Sequence, residues 1–285
     1  MLNMIKMDIY RMFKAKSLYV IWCILICLLF LSTWLTKNEY LDAVKNQEEY
    51  RNETTENGGD TETDMDFGMQ TVVPTELGED ITVFDMVFAN IGGKNIALFL
   101  VIFAVIYATA DIGSGYIKNF GGQVKRREGL IISKASALLV FTGLTLMITF
   151  LTQAVSNYIF LGYLKWGDSG GMFRYMAVEL LLHFALAMII MTIAILARNN
   201  VFSMIFAICL CMNMMVVVYS GIQVLAKKIG FGNLNLTKYT LMDKIGSLSM
   251  NFSSGAMERM IGLSLVYISI MTVISMYIYR KRDIC

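Results

Sequence analysis

The chain has 285 residues, 56% of them hydrophobic and 16% charged, with 22 Met, 17 Phe and one Pro. That composition excludes an ordinary water-soluble globular domain, and uncharged runs of bilayer-spanning length recur about six times. The net charge of +2 leaves no continuous basic face for nucleic acid, and it conceals a partition: 14 of the 22 Asp and Glu lie between Lys37 and Asp85, while Lys and Arg gather at the ends of apolar runs.

Residues 1–16 place Leu2, Ile5, Ile9, Met12 and Phe13 on one helical face, with Lys6, Arg11 and Lys14 elsewhere around the wheel. This is the pattern of an interfacial amphipathic helix, and its charge predicts a cytoplasmic N-terminus. Leu18 to Leu35 is the first predicted transmembrane helix, with Trp22 and Trp34 toward its two ends as interface anchors. The acidic segment from Lys37 follows, an extracellular loop over residues 37–89 whose composition buries little apolar surface. Its charge suits an extracellular cationic peptide, although a plain solvated loop has the same composition. Ile81 to Asn90 is expected to form a short helix leading into the bilayer.

The second span is predicted over Gly92 to Ala110 and leads to the most distinctive stretch, the connection at residues 111–130. It combines Gly113, Gly115, Gly121 and Gly122 with Lys118, Lys125, Arg126 and Arg127 between two uncharged runs. Its positive charge marks it as cytoplasmic, and Tyr116, Ile117 and Phe120 form one face of a short surface helix. Ile131 to Leu161 is longer than a bilayer requires. Near its outer end Gln153 and Asn157 stand one turn apart, placed to bond neighbouring helices or to line a path.

After an outer loop, Arg174 to Leu196 is the fourth span. It carries Glu179 and His183, the one histidine of the chain, at helical spacing on one face. Ionisable residues at such a depth need a partner or a water-filled cavity, so Glu179 is read either as an ion pair with Arg174 or His183 or as part of a transport route. Arg198 to Asn200 makes a short inner turn, and the fifth span over Val201 to Gly221 contains Asn213 and several methionines. Residues 222–257 are too apolar for a free loop and too charged for a span, and are expected to form short helices dipping into the outer leaflet. Met260 to Tyr279 is the sixth span and stops at Arg280, Lys281 and Arg282. The expected fold is an all-α polytopic membrane protein of the cell membrane, with the N-terminal helix, six spans over residues 17–285, and both termini cytoplasmic.

Cys23, Cys27, Cys209 and Cys211 lie within apolar runs and Cys285 ends the chain, so no extracellular disulfide framework is implied. One histidine is too few for a metalloprotease, and no metal site or catalytic residue is expected. No G-x-x-x-x-G-K-[ST] loop is present, so the chain lacks the backbone cradle for ATP phosphates. No inverted repeat marks a secondary transporter.

The layout of amphipathic helix, six spans, inner connection after the second span and semi-apolar stretch before the last resembles the membrane-spanning subunit of a bacterial ABC exporter. Within that type-2 permease class it is most similar to small peptide-exporter and lantibiotic-immunity permeases. The matching residues of the inner connection are Asp111, Gly115, Lys118, Asn119, Arg126 or Arg127, and Lys134; Gly121, Gly122 and Gln123 depart from the family pattern. The resemblance implies that Asp111, Gly115, Tyr116, Ile117, Lys118, Asn119, Phe120, Arg126 and Arg127 form the coupling element that docks on a separate ATPase, which holds ATP and Mg. It also implies a second permease copy or paralogue, a surround of membrane lipid, and a translocation path to which Gln153, Asn157, Glu179, His183 and Asn213 would contribute. The implied cargo is a hydrophobic or amphipathic peptide, antimicrobial or drug, in the manner of antibiotic resistance or immunity. The competing reading is a non-transporting scaffold or sensor whose acidic loop binds an extracellular ligand.

Overall fold

A computed structural model describes residues 2–45, 72–76, 79–113, 128–228 and 239–281. Among the described residues every regular element is helical. Helix α1 (Leu2–Lys14) is separated from α2 (Lys16–Lys45) at Ala15, where the Tyr19 hydroxyl donates to the Phe13 carbonyl at 2.8 Å. Helix α3 (Val83–Gly92) begins in a capping box: Thr82 Oγ1 accepts from the Asp85 N–H at 3.1 Å, and Asp85 Oδ2 accepts from the Thr82 N–H at 2.8 Å.

Lys94, left-handed at φ 63°, then turns the chain by 54° into α4 (Asn95–Gly113). Helix α5 (Glu128–Leu161) runs without a break for 34 residues. Asp168 caps α6 (Ser169–Ala197), which ends at Arg198 in the left-handed region. Asn199 starts α7 (Asn200–Cys211) by accepting from the N–H groups of Val201 and Phe202. A second bend, of 79°, separates α7 from α8 (Met215–Lys228), with Asn213 at φ 60°. Short α9 (Leu241–Ser247) and long α10 (Ser254–Lys281) complete the chain.

Four unbroken helices, α2, α5, α6 and α10, are long and apolar enough to cross a membrane, and each bent pair passes the same test as a unit. Two predicted spans are therefore not single rods. The second starts at Val83 rather than Gly92 and is broken by Gly92, Gly93 and Lys94, and the fifth is broken at Met212 to Met214. Helix α2 likewise continues ten residues past its predicted end at Leu35.

Helix α6 is the axis of the bundle. It packs against α10, α4, α5 and α7, and 67% of its apolar window is buried, against 11% for α10. Helix α10 thus turns Leu265, Val266, Ile270 and Val273 outward, the condition of a lipid-facing surface. The other half of the bundle is α5 lying along α2 and α1. Phe141 stacks on Phe103 with centroids 3.8 Å apart and on Trp22 at 6.0 Å. Trp22 Nε1 also donates to Thr145 Oγ1 at 3.0 Å, so this ring is a half-buried packing residue and not an interface anchor.

The paired contacts fix the sense of each helix. Trp22 meets Thr145 and Thr33 meets Gln153, so α2 and α5 run parallel. Thr192 meets Ser275 at 2.9 Å, and Asp168 and Gly171 at the start of α6 border one pocket with Phe252 and Ser253 just before α10, so α6 and α10 run parallel too, and antiparallel to α5 through the loop at residues 162–168. One end of the bundle therefore collects α1, the start of α2 and α5, the end of α4, the α6–α7 junction and the end of α10. The opposite end collects α3, the 162–168 loop and α9.

Candidate functional site

At the α1 end, an acidic side chain missed by the amphipathic pattern organises the local structure. Asp8 is 2% exposed, and its carboxylate accepts from Ser133 Oγ of α5 and pairs with Arg11 Nη1 at 3.4 Å. The backbone carbonyl of Asp8 accepts from the Tyr107 hydroxyl of α4 at 3.3 Å. Met12, fully buried, points the same way, whereas Leu2 and Phe13 of the predicted apolar face are exposed. Next to Ser133, Lys134 is 2% exposed, with its ammonium 5.0 Å from the centroid of the Tyr107 ring. A buried lysine is tolerable only where such electron-rich and hydrogen-bonding groups replace water.

Asp8, Tyr107, Ser133 and Lys134 thus bind α1 to both arms of the 111–130 connection, the end of α4 and the start of α5. Thr109 Oγ1 adds a 3.4 Å bond to Asn200 Oδ1 at the start of α7. Of the predicted coupling residues, Asp111 lies in the last turn of α4. Gly115, Tyr116, Ile117, Lys118, Asn119, Phe120, Arg126 and Arg127 lie outside the described residues.

The predicted path residues fall into three places. Gln153 is fully buried and joins three helices: its Nε2 donates to Thr33 Oγ1 of α2 at 2.8 Å and to Asn157 Oδ1 at 2.9 Å, and its Oε1 accepts from Asn90 Nδ2 of α3 at 3.3 Å. Asn95, at the bend below α3, donates to Asn90 Oδ1 at 3.2 Å. Glu179 and His183 lie on α6, both fully buried, with Nδ1 3.1 Å from Oε2 and 2.9 Å from the Glu179 carbonyl. The partner of Glu179 is therefore His183; Arg174 is exposed and turned back to the Gly170 carbonyl. Glu179 Oε1, His183 Nε2 and Tyr175 Oη have no hydrogen-bond partner among the described residues. Asn213, at the α7–α8 bend, borders a cavity beside α6.

At the opposite end, Lys165 pairs with Asp80, and the Val83 N–H donates to the Lys165 carbonyl at 2.8 Å. The hydrogen bond and charge of Asp80 raise the Lys165 ammonium above its ordinary value. Gly167, at φ 76°, lies so close to the Thr82 cap that a Cβ there would meet Thr82 Oγ1 at 2.9 Å. The C-terminal edge of the acidic segment is thereby pinned to the α5–α6 loop.

Residues 60–285 match the DUF2705 family, described as proteins of unknown function. The chain belongs to the DUF2705 family. No curated protein matches it. The DUF2705 match begins inside the acidic segment and contains α3 to α10, hence the Glu179–His183 pair, both bends and the 111–130 connection, while α1 and α2 precede it.

Among the described residues of this DUF2705 protein, no three His, Cys, Asp or Glu side chains come together to hold a metal ion. Cys23 and Cys27 are exposed on the outside of α2, and Cys209 and Cys211 are free thiols. What the sites offer is mechanical and electrostatic: a polar latch at one end and a buried ionisable pair on the axial helix. The latch escaped sequence reading because Ser133 lies 125 residues from Asp8. The one available signal was a lone acidic residue on a helix whose other charges, Lys6, Arg11 and Lys14, are all basic.

Proposed function

We propose that the chain is the permease subunit of an ATP-driven exporter of the ABC type. In this reading each bent pair counts as one span, six in all, and the α1 end with both termini faces the cytoplasm. The charge distribution supports that orientation. Lys6, Arg11, Lys14, Lys16, Lys134, Arg198, Arg280 and Lys281 gather at the α1 end, whereas Lys94, Lys165, Arg174 and Lys244 at the other stand among the acids Glu79, Asp80, Asp85, Asp168 and Asp243.

The observation that carries the reading is the latch. A connection between two spans that only closes a loop needs no anchorage, yet both arms of this one are tied by polar contacts, buried ones to α1 through Asp8 and an exposed one to α7 through Thr109 and Asn200. A force applied to residues 111–130 by a partner ATPase reaches α1, α4, α5 and α7 together and rocks them as a body against α6 and α10. The partner supplies ATP and Mg; this chain supplies the wall of the path and the lever that moves it. A second copy or a paralogue completes the path, and the cargo is a hydrophobic or amphipathic peptide, antimicrobial or drug.

The test is purification of the tagged chain from its native membrane, with identification of what accompanies it. A stoichiometric subunit containing the phosphate-binding G-x-x-x-x-G-K-[ST] loop, lost when Tyr116 and Phe120 are both replaced by alanine, is the expected result. A stable, folded preparation without any ATPase overturns the proposal and leaves the scaffold or sensor reading in its place.

A further inference from the structure

A cavity of about 530 Å³ lies between the α7–α8 arm and α10, well inside the size range of ligand sites. Its floor is the axial helix, through Leu186, Ile189 and Ile193, and its side wall is Phe206 and Leu210 of α7. Helix α8 leans over it after the 79° bend and has no more than glancing contact with any other described helix. The cavity exists because the bend carries α8 away from the line of α7, leaving Ile189 and Ile193 of α6 only partly covered among the described residues.

The lining has two chemical parts. Along the floor and side wall it is hydrocarbon and phenyl. At the end where α9 starts, three tyrosines, Tyr219, Tyr239 and Tyr267, border it together with Thr240. The Tyr267 hydroxyl donates to the Tyr239 carbonyl at 3.1 Å, which fixes this rim between α10 and the start of α9. Tyrosine is the residue suited to such a boundary, with an apolar ring and a hydroxyl that binds polar groups.

Water gains nothing in the apolar part, which offers no hydrogen-bond partners, and an empty slot forfeits the dispersion contacts of its lining. Around helices that cross a bilayer, the medium that can fill it is hydrocarbon. We propose that this cavity is a binding site for one long hydrocarbon chain of a membrane amphiphile, with the chain along Leu186, Ile189, Phe206 and Leu210 and the polar head at the tyrosine rim. The site rests on the cavity alone and is independent of any ATPase partner.

The test uses the full chain, purified and reconstituted in phosphatidylcholine vesicles, with two photoactivatable probes: palmitic acid with a mid-chain diazirine, and a phosphatidylcholine with the same group on one acyl chain. The expected result is adducts on the segments 186–193 and 206–210, reduced at least tenfold by excess unlabelled palmitate, while adducts on the outward face of α10 around Val273 do not saturate. Leu210→Trp, which fills the slot, removes the saturable adducts and keeps those near Val273. If that variant fails to fold, the unlabelled-palmitate competition on the wild type decides alone. Saturable labelling by the fatty acid assigns the site to a single-chain amphiphile, and labelling only by the phospholipid assigns it to a bilayer lipid. Adducts spread over the outward faces of α2 and α10 without saturation, or absent from 186–193 and 206–210, overturn the site.

Discussion

Glu179 and His183 sit fully buried near the centre of the axial helix, each the polar partner of the other among hydrocarbon side chains. Taking one partner away leaves a polar group stranded, so Glu179→Ala or His183→Ala is expected to lower stability by about 3–5 kcal/mol. The double replacement Glu179→Leu with His183→Leu is expected to restore most of that loss, because packed hydrocarbon substitutes well for a buried pair. Thermal unfolding of the four proteins in detergent forms the cycle, and a double variant as unstable as the worse single one would show the pair to be embedded in a larger network. Gly167 makes a second residue-scale case. It and Gly162 both have φ near 80°, but only Gly167 abuts the Thr82 cap. Gly162→Ala is expected to cost about 1–2 kcal/mol for the left-handed backbone, and Gly167→Ala distinctly more. Equal melting temperatures for the two variants would mean that Thr82 yields freely.

At the scale of elements, the two bends decide how much of the bundle is rigid. Both turn on a non-glycine residue in the left-handed region, Lys94 and Asn213, where a β-branched side chain is a serious misfit. Lys94→Gly and Asn213→Gly are expected to be tolerated or mildly stabilising, while Lys94→Val and Asn213→Val are expected to lose about 1–3 kcal/mol, measured by denaturation in detergent. Helix existence was legible throughout, because apolar runs of this length have few other fates. The breaks were harder. Gly92 and Gly93 signal a turn in hindsight, and Asn213 is the kind of residue that accepts positive φ, yet hydropathy alone reads straight through both. The α1 latch escaped for another reason: a helical wheel shows which residues share a face, but not that Asp8 will find Ser133 and the backbone of α1 will find Tyr107. Asp8→Ala leaves the buried Ser133 hydroxyl without its acceptor and is expected to cost about 1–3 kcal/mol while freeing α1 for proteolysis ahead of the rest.

For the whole molecule, the partition of charge makes a topological prediction. In a cysteine-free background, Leu164→Cys at the α5–α6 loop is expected to react with a membrane-impermeant thiol reagent in intact cells, and Tyr10→Cys on α1 only after permeabilisation; both parent side chains are exposed. The reverse pattern would invert the orientation and with it the exporter reading. Charge at helix ends can be read from sequence without knowledge of packing, which is why the prediction at this scale concerns orientation. The three-way bond of Gln153 to α2, α3 and α5, and the isolation of the Glu179–His183 pair from it, could not be read in this way, because both depend on which faces of separate helices meet.

Helix α2 has 30 residues and α5 has 34, so at 1.5 Å per residue they measure about 45 and 51 Å, whereas the hydrocarbon layer is about 30 Å thick. In the exporter reading, α2 starts at the cytoplasmic face directly after α1, and its surplus emerges at the far side beside α5. The far part of α2 is tied to the residues that lead into α3, where the Tyr40 hydroxyl donates to the Glu79 carbonyl at 2.6 Å. In the same reading, a pull on that tie is carried along α2 as one continuous rod to the end of the bundle where α1 is held by Asp8.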